Sequence, residues 1–109
     1  MENQTEPILV ISNLPDRESA LRLAELLVER GQAACVNVLA PCASIYRWQG
    51  KIEHAEEIPV LVKTTHAQYA EVENTIKSHH PYELPEIIQL PIRGGLPAYL
   101  EWIAQETSR

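Results

Sequence analysis

The sequence predicts an α+β fold in the order β-α-β-β-α-β, with a long β-hairpin and a short C-terminal helix. Three observations predict it. Stretches rich in β-branched residues, "ILVI" at 8–11 and "EEIPVLVKTT" at 56–65, read as strands. Two other stretches, around Leu23 and Val72, carry apolar residues at helical spacing. Turn and breaker residues separate them: Pro15-Asp16, Gly31, Gln49-Gly50, Pro81 and Gly94-Gly95.

The first strand has four consecutive apolar residues, Ile8 to Ile11, and is expected to be buried on both faces. Asp16 then supplies an N-cap, and Ala20, Leu23, Ala24, Leu27 and Val28 form the apolar stripe of a helix that Gly31 ends. "AACVNVLAPCASIYRWQGKIE" is extended, with a bend at Pro41, which cannot donate to a ladder. Gln49-Gly50 reverses the chain into "EEIPVLVKTT", so the hairpin tip carries Tyr46 and Trp48. Thr65 and Gln68 have the spacing of a capping box for a second helix, whose stripe is Tyr69, Val72 and Ile76. Pro81 ends that helix and biases His80 out of the α region. "PEIIQLPI" is the last strand, and Pro97 opens a terminal helix through Ile103. The order is that of the ferredoxin-like split βαβ pattern, which hosts many functions.

A chain of 109 residues suits one domain over 1–109, with 1–6 and 105–109 expected to be flexible. Its formal net charge of −6 disfavours nucleic acid as a partner. The opening "MENQTEPILV" lacks a basic end and a long apolar run, so neither a signal peptide nor a membrane span is expected. Two cysteines, Cys35 and Cys42, fit a reducing, cytoplasmic setting and match no C-x-x-C pattern. A domain of this size needs neither a disulfide nor a metal to fold. Gly94-Gly95 lacks the Lys and Ser/Thr of a phosphate loop, and no nucleophile–base set stands out, so an enzyme is not expected. Lys63, Glu57 and Glu86 are candidates for a buried ion network.

The chemistry concentrates in "KSHHPYELPEII", residues 77–88. Adjacent helical residues point about 100° apart, so His79 and His80 could share an ion only because the chain leaves the helix at His80. Copper(II) favours imidazole, and Glu83 is close enough in sequence to add a carboxylate. The competing structural role is a cap: a histidine in the last helical turn binds free carbonyls, and the two prolines make a rigid connection to the next strand. At the hairpin tip, Tyr46 and Trp48 alternate with Arg47 and Gln49. An aromatic face on an exposed hairpin suggests anchors of a subunit interface.

At "SIYRWQGKIE" and "SHHPYELPEII", supported by "GQAACVNV", "VKTT" and "YLEWI", the sequence resembles the CutA divalent-cation tolerance proteins, over Ile8 to Ile103. The resemblance implies a ferredoxin-like protomer, a tight homotrimer with edge strands paired between subunits, and a link to copper and other divalent cations. It also implies a metal site in some members, in which a cysteine of the first strand joins the histidines. Ser12 stands at that position here, and its hydroxyl is a poor ligand for such metals. The other function considered is that of the nitrogen-regulatory PII proteins, similar-looking ferredoxin-like trimers that bind small molecules between subunits. A cleft lined by His79, Tyr82 and Glu83 would serve it.

Overall fold

A computed structural model describes residues 4–108. The elements follow the expected order: β1 (Pro7–Leu14), α1 (Arg17–Glu29), β2 (Cys35–Val38), β3 (Cys42–Trp48), β4 (Lys51–Thr65), α2 (Tyr69–His79), β5 (Ile88–Pro91) and α3 (Pro97–Glu106). All pairings are antiparallel, in the sheet order β2-β4-β1-β5, and β3 pairs with the far half of β4. β4 therefore serves two purposes. Its second half lies at the centre of the sheet, and its first half forms the hairpin that helps stretch the molecule to 44 × 27 × 23 Å.

β1 alternates half-buried and buried residues along its whole length. Ile8, Val10 and Leu14 point to the same side as Ile58, Val60 and Val62 of β4, and Ala20, Leu23 and Leu27 of α1 and Val72 and Ile76 of α2 close over them. The expectation that β1 is buried on both faces is thus corrected. Leu9, Ile11 and Asn13 remain partly exposed, because the second face is covered only in part by the short α3. Tyr99 of α3 sits on that face, with the Lys63 ammonium 5.7 Å from its ring centroid. α1 buries a narrower stripe than its spacing suggested: Val28 stays 46 % exposed.

The local signals at most element ends act as expected. Asp16 accepts the Ser19 amide at 2.8 Å, which holds its carboxyl below the ordinary range. Gly31 is in the left-handed region after α1, at φ 70°. The residues 39–41 between β2 and β3 form the break placed at Pro41. Gln49 and Gly50 both have positive φ, 50° and 81°, as a two-residue hairpin turn requires.

The capping box at Thr65 is not formed. The Thr65 side chain makes no cap bond; the two amides that follow it are held instead by the N-terminal segment, His66 N donating to Glu6 O and Ala67 N to Gln4 O, each at 2.9 Å. Gln68 instead donates its side-chain amide to Thr107 O at 2.8 Å. α3 runs three residues past Ile103, and Thr107 is buried beneath it. The flexible ends expected at 1–6 and 105–109 lie partly outside the described residues, which exclude 1–3 and 109.

Candidate functional site

The segment from His79 to Ile87 crosses from the end of α2 to the start of β5, beside the C-terminal end of β1. β5 starts at Ile88 rather than at Pro85. Proline has no N–H for the ladder, and Glu86 is already held by its side chain, accepting the Asn13 amide at 2.9 Å.

His79 and His80 are adjacent but have opposite surroundings. His80 is buried, with extended backbone at φ −95°, ψ 134°. Its Nε2 lies 2.6 Å from the Asn13 carbonyl, and its Nδ1 lies 3.1 Å from the Tyr82 amide nitrogen. A carbonyl can only accept and an amide N–H can only donate, so Nε2 carries the proton and Nδ1 holds the Tyr82 hydrogen bond. Both ring nitrogens are used, and His80 bolts the connection to β1. His79 is exposed, and its Nδ1 lies 2.9 Å from the Thr75 carbonyl, one turn back. That bond requires the proton on Nδ1 and leaves the Nε2 lone pair free. Metal-binding histidines are commonly oriented by such a bond from the other nitrogen. His79 lines a groove of about 380 Å³ along α1, together with Glu25, Glu29 and the cationic Arg22, which is paired with Glu18.

The other expected ligands do not join these two. Glu83 is exposed on the connection. Ser12 is fully buried on the helix-covered face of the sheet, and its Oγ has no hydrogen-bond partner among the described residues. No group of three His, Cys, Asp or Glu side chains able to hold an ion comes together among the described residues. A resident, multi-ligand metal site therefore does not fit this protomer, whereas a single imidazole offered at the surface does.

A second cluster was only half legible in the sequence. The Tyr82 ring packs on His80, 4.7 Å between centroids, and the Glu57 carboxylate lies near its hydroxyl. Burial, and then the nearby carboxylate, push the phenol up to about 12. Glu57 is itself buried, at 8 % exposure. The suggested network of Lys63, Glu57 and Glu86 is dispersed. Six residues of strand, roughly 20 Å, separate Lys63 from Glu57, and Glu86 is bonded to Asn13. The signal for Glu57 was its place in β4 on the same side as Pro59 and Leu61, but nothing local pointed to Tyr82 as its partner.

The raised Tyr82 value has a testable consequence. The fold favours the neutral phenol, so its contribution is complete below pH 10.0 and is lost as pH rises towards about 12. Tyr69, bonded to Glu73 and also pushed up to about 12, acts in the same direction. Urea denaturation at pH 9 to 12 is expected to show wild-type stability falling over that interval, with a smaller fall in Tyr82→Phe, where the Tyr69 contribution remains. Equal falls in the two proteins would show that the neutral Tyr82 phenol contributes nothing to stability over this interval.

Residues 8–106 match the family model described as CutA1 divalent ion tolerance protein. The chain is 41 % identical to the "Divalent-cation tolerance protein CutA" of Thermus thermophilus, over 91 % of this chain and 96 % of that one. It is 36 % identical to "Protein CutA, chloroplastic" of Arabidopsis thaliana over 92 % of its own length, and spans only 55 % of that longer relative. A crystal structure of CutA from Xylella fastidiosa superposes with a TM-score of 0.92 at 41 % identity, covering 94 % of this chain and 99 % of that one.

Proposed function

The chain belongs to the CutA1 divalent ion tolerance family, and from that premise we propose that it acts in divalent-cation tolerance as a homotrimer that binds copper(II) or another divalent cation weakly, through His79. The observation that carries the cation reading is the His79 ring, oriented by Thr75 with Nε2 free at the surface, in a groove where Glu25 and Glu29 outnumber Arg22. One imidazole with at most a carboxylate beside it makes a weak, exchangeable site. His80 supports the site mechanically, by fixing the end of α2, and Ser12 and Glu83 take no part in it.

The assembly reading rests on what the single chain leaves uncovered. β2 and β5 are open sheet edges. The hairpin exposes Ile45 (66 %), Ile52 (55 %), Tyr46 and Trp48. Apolar residues therefore occupy both faces of the tip, since Ile52 is registered with Arg47, on the face opposite Tyr46 and Trp48. Such a surface is characteristic of a buried interface. The reading assigns no catalysis. Cys35 and Cys42 are free thiols, which suits the proposed cytoplasmic location.

Calorimetric copper(II) titration in metal-free buffer tests the cation reading. Wild type is expected to bind weakly, His79→Ala to lose at least about tenfold in affinity, and His80→Ala, where it folds, to bind as wild type does. Undiminished binding by His79→Ala would refute the assignment.

A further inference from the structure

We infer that Glu57 receives a guanidinium or ammonium group from a basic side chain of a second copy of this chain. The inference rests on the assembly reading above and adds a residue pair to it. A buried carboxylate is costly unless it is paired with a positive charge. Glu57 is 8 % exposed, and the Tyr82 hydroxyl near it is neutral and does not balance the charge. The other titratable groups acting on that hydroxyl are Tyr46 and Asp16, neither of them positive. The ion pair found among the described residues, Arg22 with Glu18, lies on α1. Lys63, on the same strand face as Glu57, is occupied with the Tyr99 ring.

The pocket has the chemistry for a cationic nitrogen. The β3–β4 register pairs Cys42 with Glu57 and Tyr46 with Glu53, which puts Tyr46 and Glu57 on one face of the hairpin. Tyr46 and Tyr82 are 44 % and 36 % exposed, and both Tyr46 and Glu57 act on the Tyr82 hydroxyl, so two partly exposed aromatic rings lie near this carboxylate. Aromatic faces with a carboxylate are a common setting for guanidinium and ammonium groups. A second copy is the source because Glu57 lies on the hairpin face that also carries Tyr46 and Trp48, leading to the exposed apolar tip. The chain also has exposed bases near its free surfaces: Arg47 and Lys51 at the tip, and Arg93 after β5.

The test is sedimentation equilibrium, with circular dichroism, on wild type, Glu57→Gln, Arg47→Gln, Lys51→Gln, Arg93→Gln and the three double variants. Glu57→Gln is expected to fold and to raise the concentration for half-assembly about tenfold or more, because it strands the partner's charge. One of the three basic variants should reproduce that shift, and its combination with Glu57→Gln should add little. The three bases are exposed in the protomer, so their variants keep the test decisive if Glu57→Gln unfolds. Wild type that stays monomeric would refute the assembly reading and the second copy with it. Wild type that assembles, with Glu57→Gln unchanged or all pairs additive, would refute this inference alone. If free arginine bound wild type but not Glu57→Gln, with the mass unchanged, the cation would be a ligand rather than a neighbour's side chain.

Discussion

Trp48→Ala is expected to destabilise the assembly by at least about 2 kcal/mol while leaving the protomer fold intact. Trp48 sits opposite Lys51 at the end of the hairpin, 38 % exposed, and belongs to none of the buried core of the protomer. Its large ring gains little from the single chain and much from a partner that would cover it. Mass and far-UV circular dichroism measured on the same sample separate the outcomes. A smaller mass with an unchanged spectrum supports the interface role. Lost ellipticity, with the remaining folded protein still fully assembled, would place Trp48 in the fold instead.

The second large effect is expected at His80, and it concerns stability rather than metal. His80→Ala removes the partner of the Asn13 carbonyl and of the Tyr82 amide, and the ring that Tyr82 packs on. A buried polar group left unpaired costs about 1–3 kcal/mol, so a loss of roughly 2–4 kcal/mol is expected, with water entering the gap setting the lower end. His79→Ala removes only a part-buried cap bond to Thr75 and is expected to cost about 1 kcal/mol or less. Urea denaturation at one fixed protein concentration compares them, since assembly makes stability concentration-dependent. Equal costs for the two variants would contradict the division of labour between the neighbouring histidines.

The parts of this fold legible in the sequence are those governed by local rules. The Asp16 cap, the Gln49-Gly50 turn, the break at Pro41 and the exit of His80 from the helix each depend on a residue and its near neighbours. What was not legible depends on distant partners. The start of the second helix is held by the carbonyls of Gln4 and Glu6, some sixty residues away in the chain, and not by a Thr65 cap. The reach of α3 past Ile103 is tied to Gln68 of the other half of the chain. At the candidate site the sequence presented two histidines as candidate ligands without saying which ring is tied up. Asn13, on β1, makes them different by taking up the Nε2 of His80, and no spacing within "SHHPYELPEII" encodes that. Glu57 and Tyr82 meet for the same reason, through the passage of the connection past the end of β1.

The open edges, the apolar tip and the buried Glu57, which has no ion-pair partner among the described residues, all point to assembly with neighbouring copies. Sedimentation equilibrium of the wild-type chain at micromolar concentration tests it most directly. The account predicts a single species of about three times the 12.3 kDa chain mass. A monomer or a simple dimer across the concentration range would contradict it.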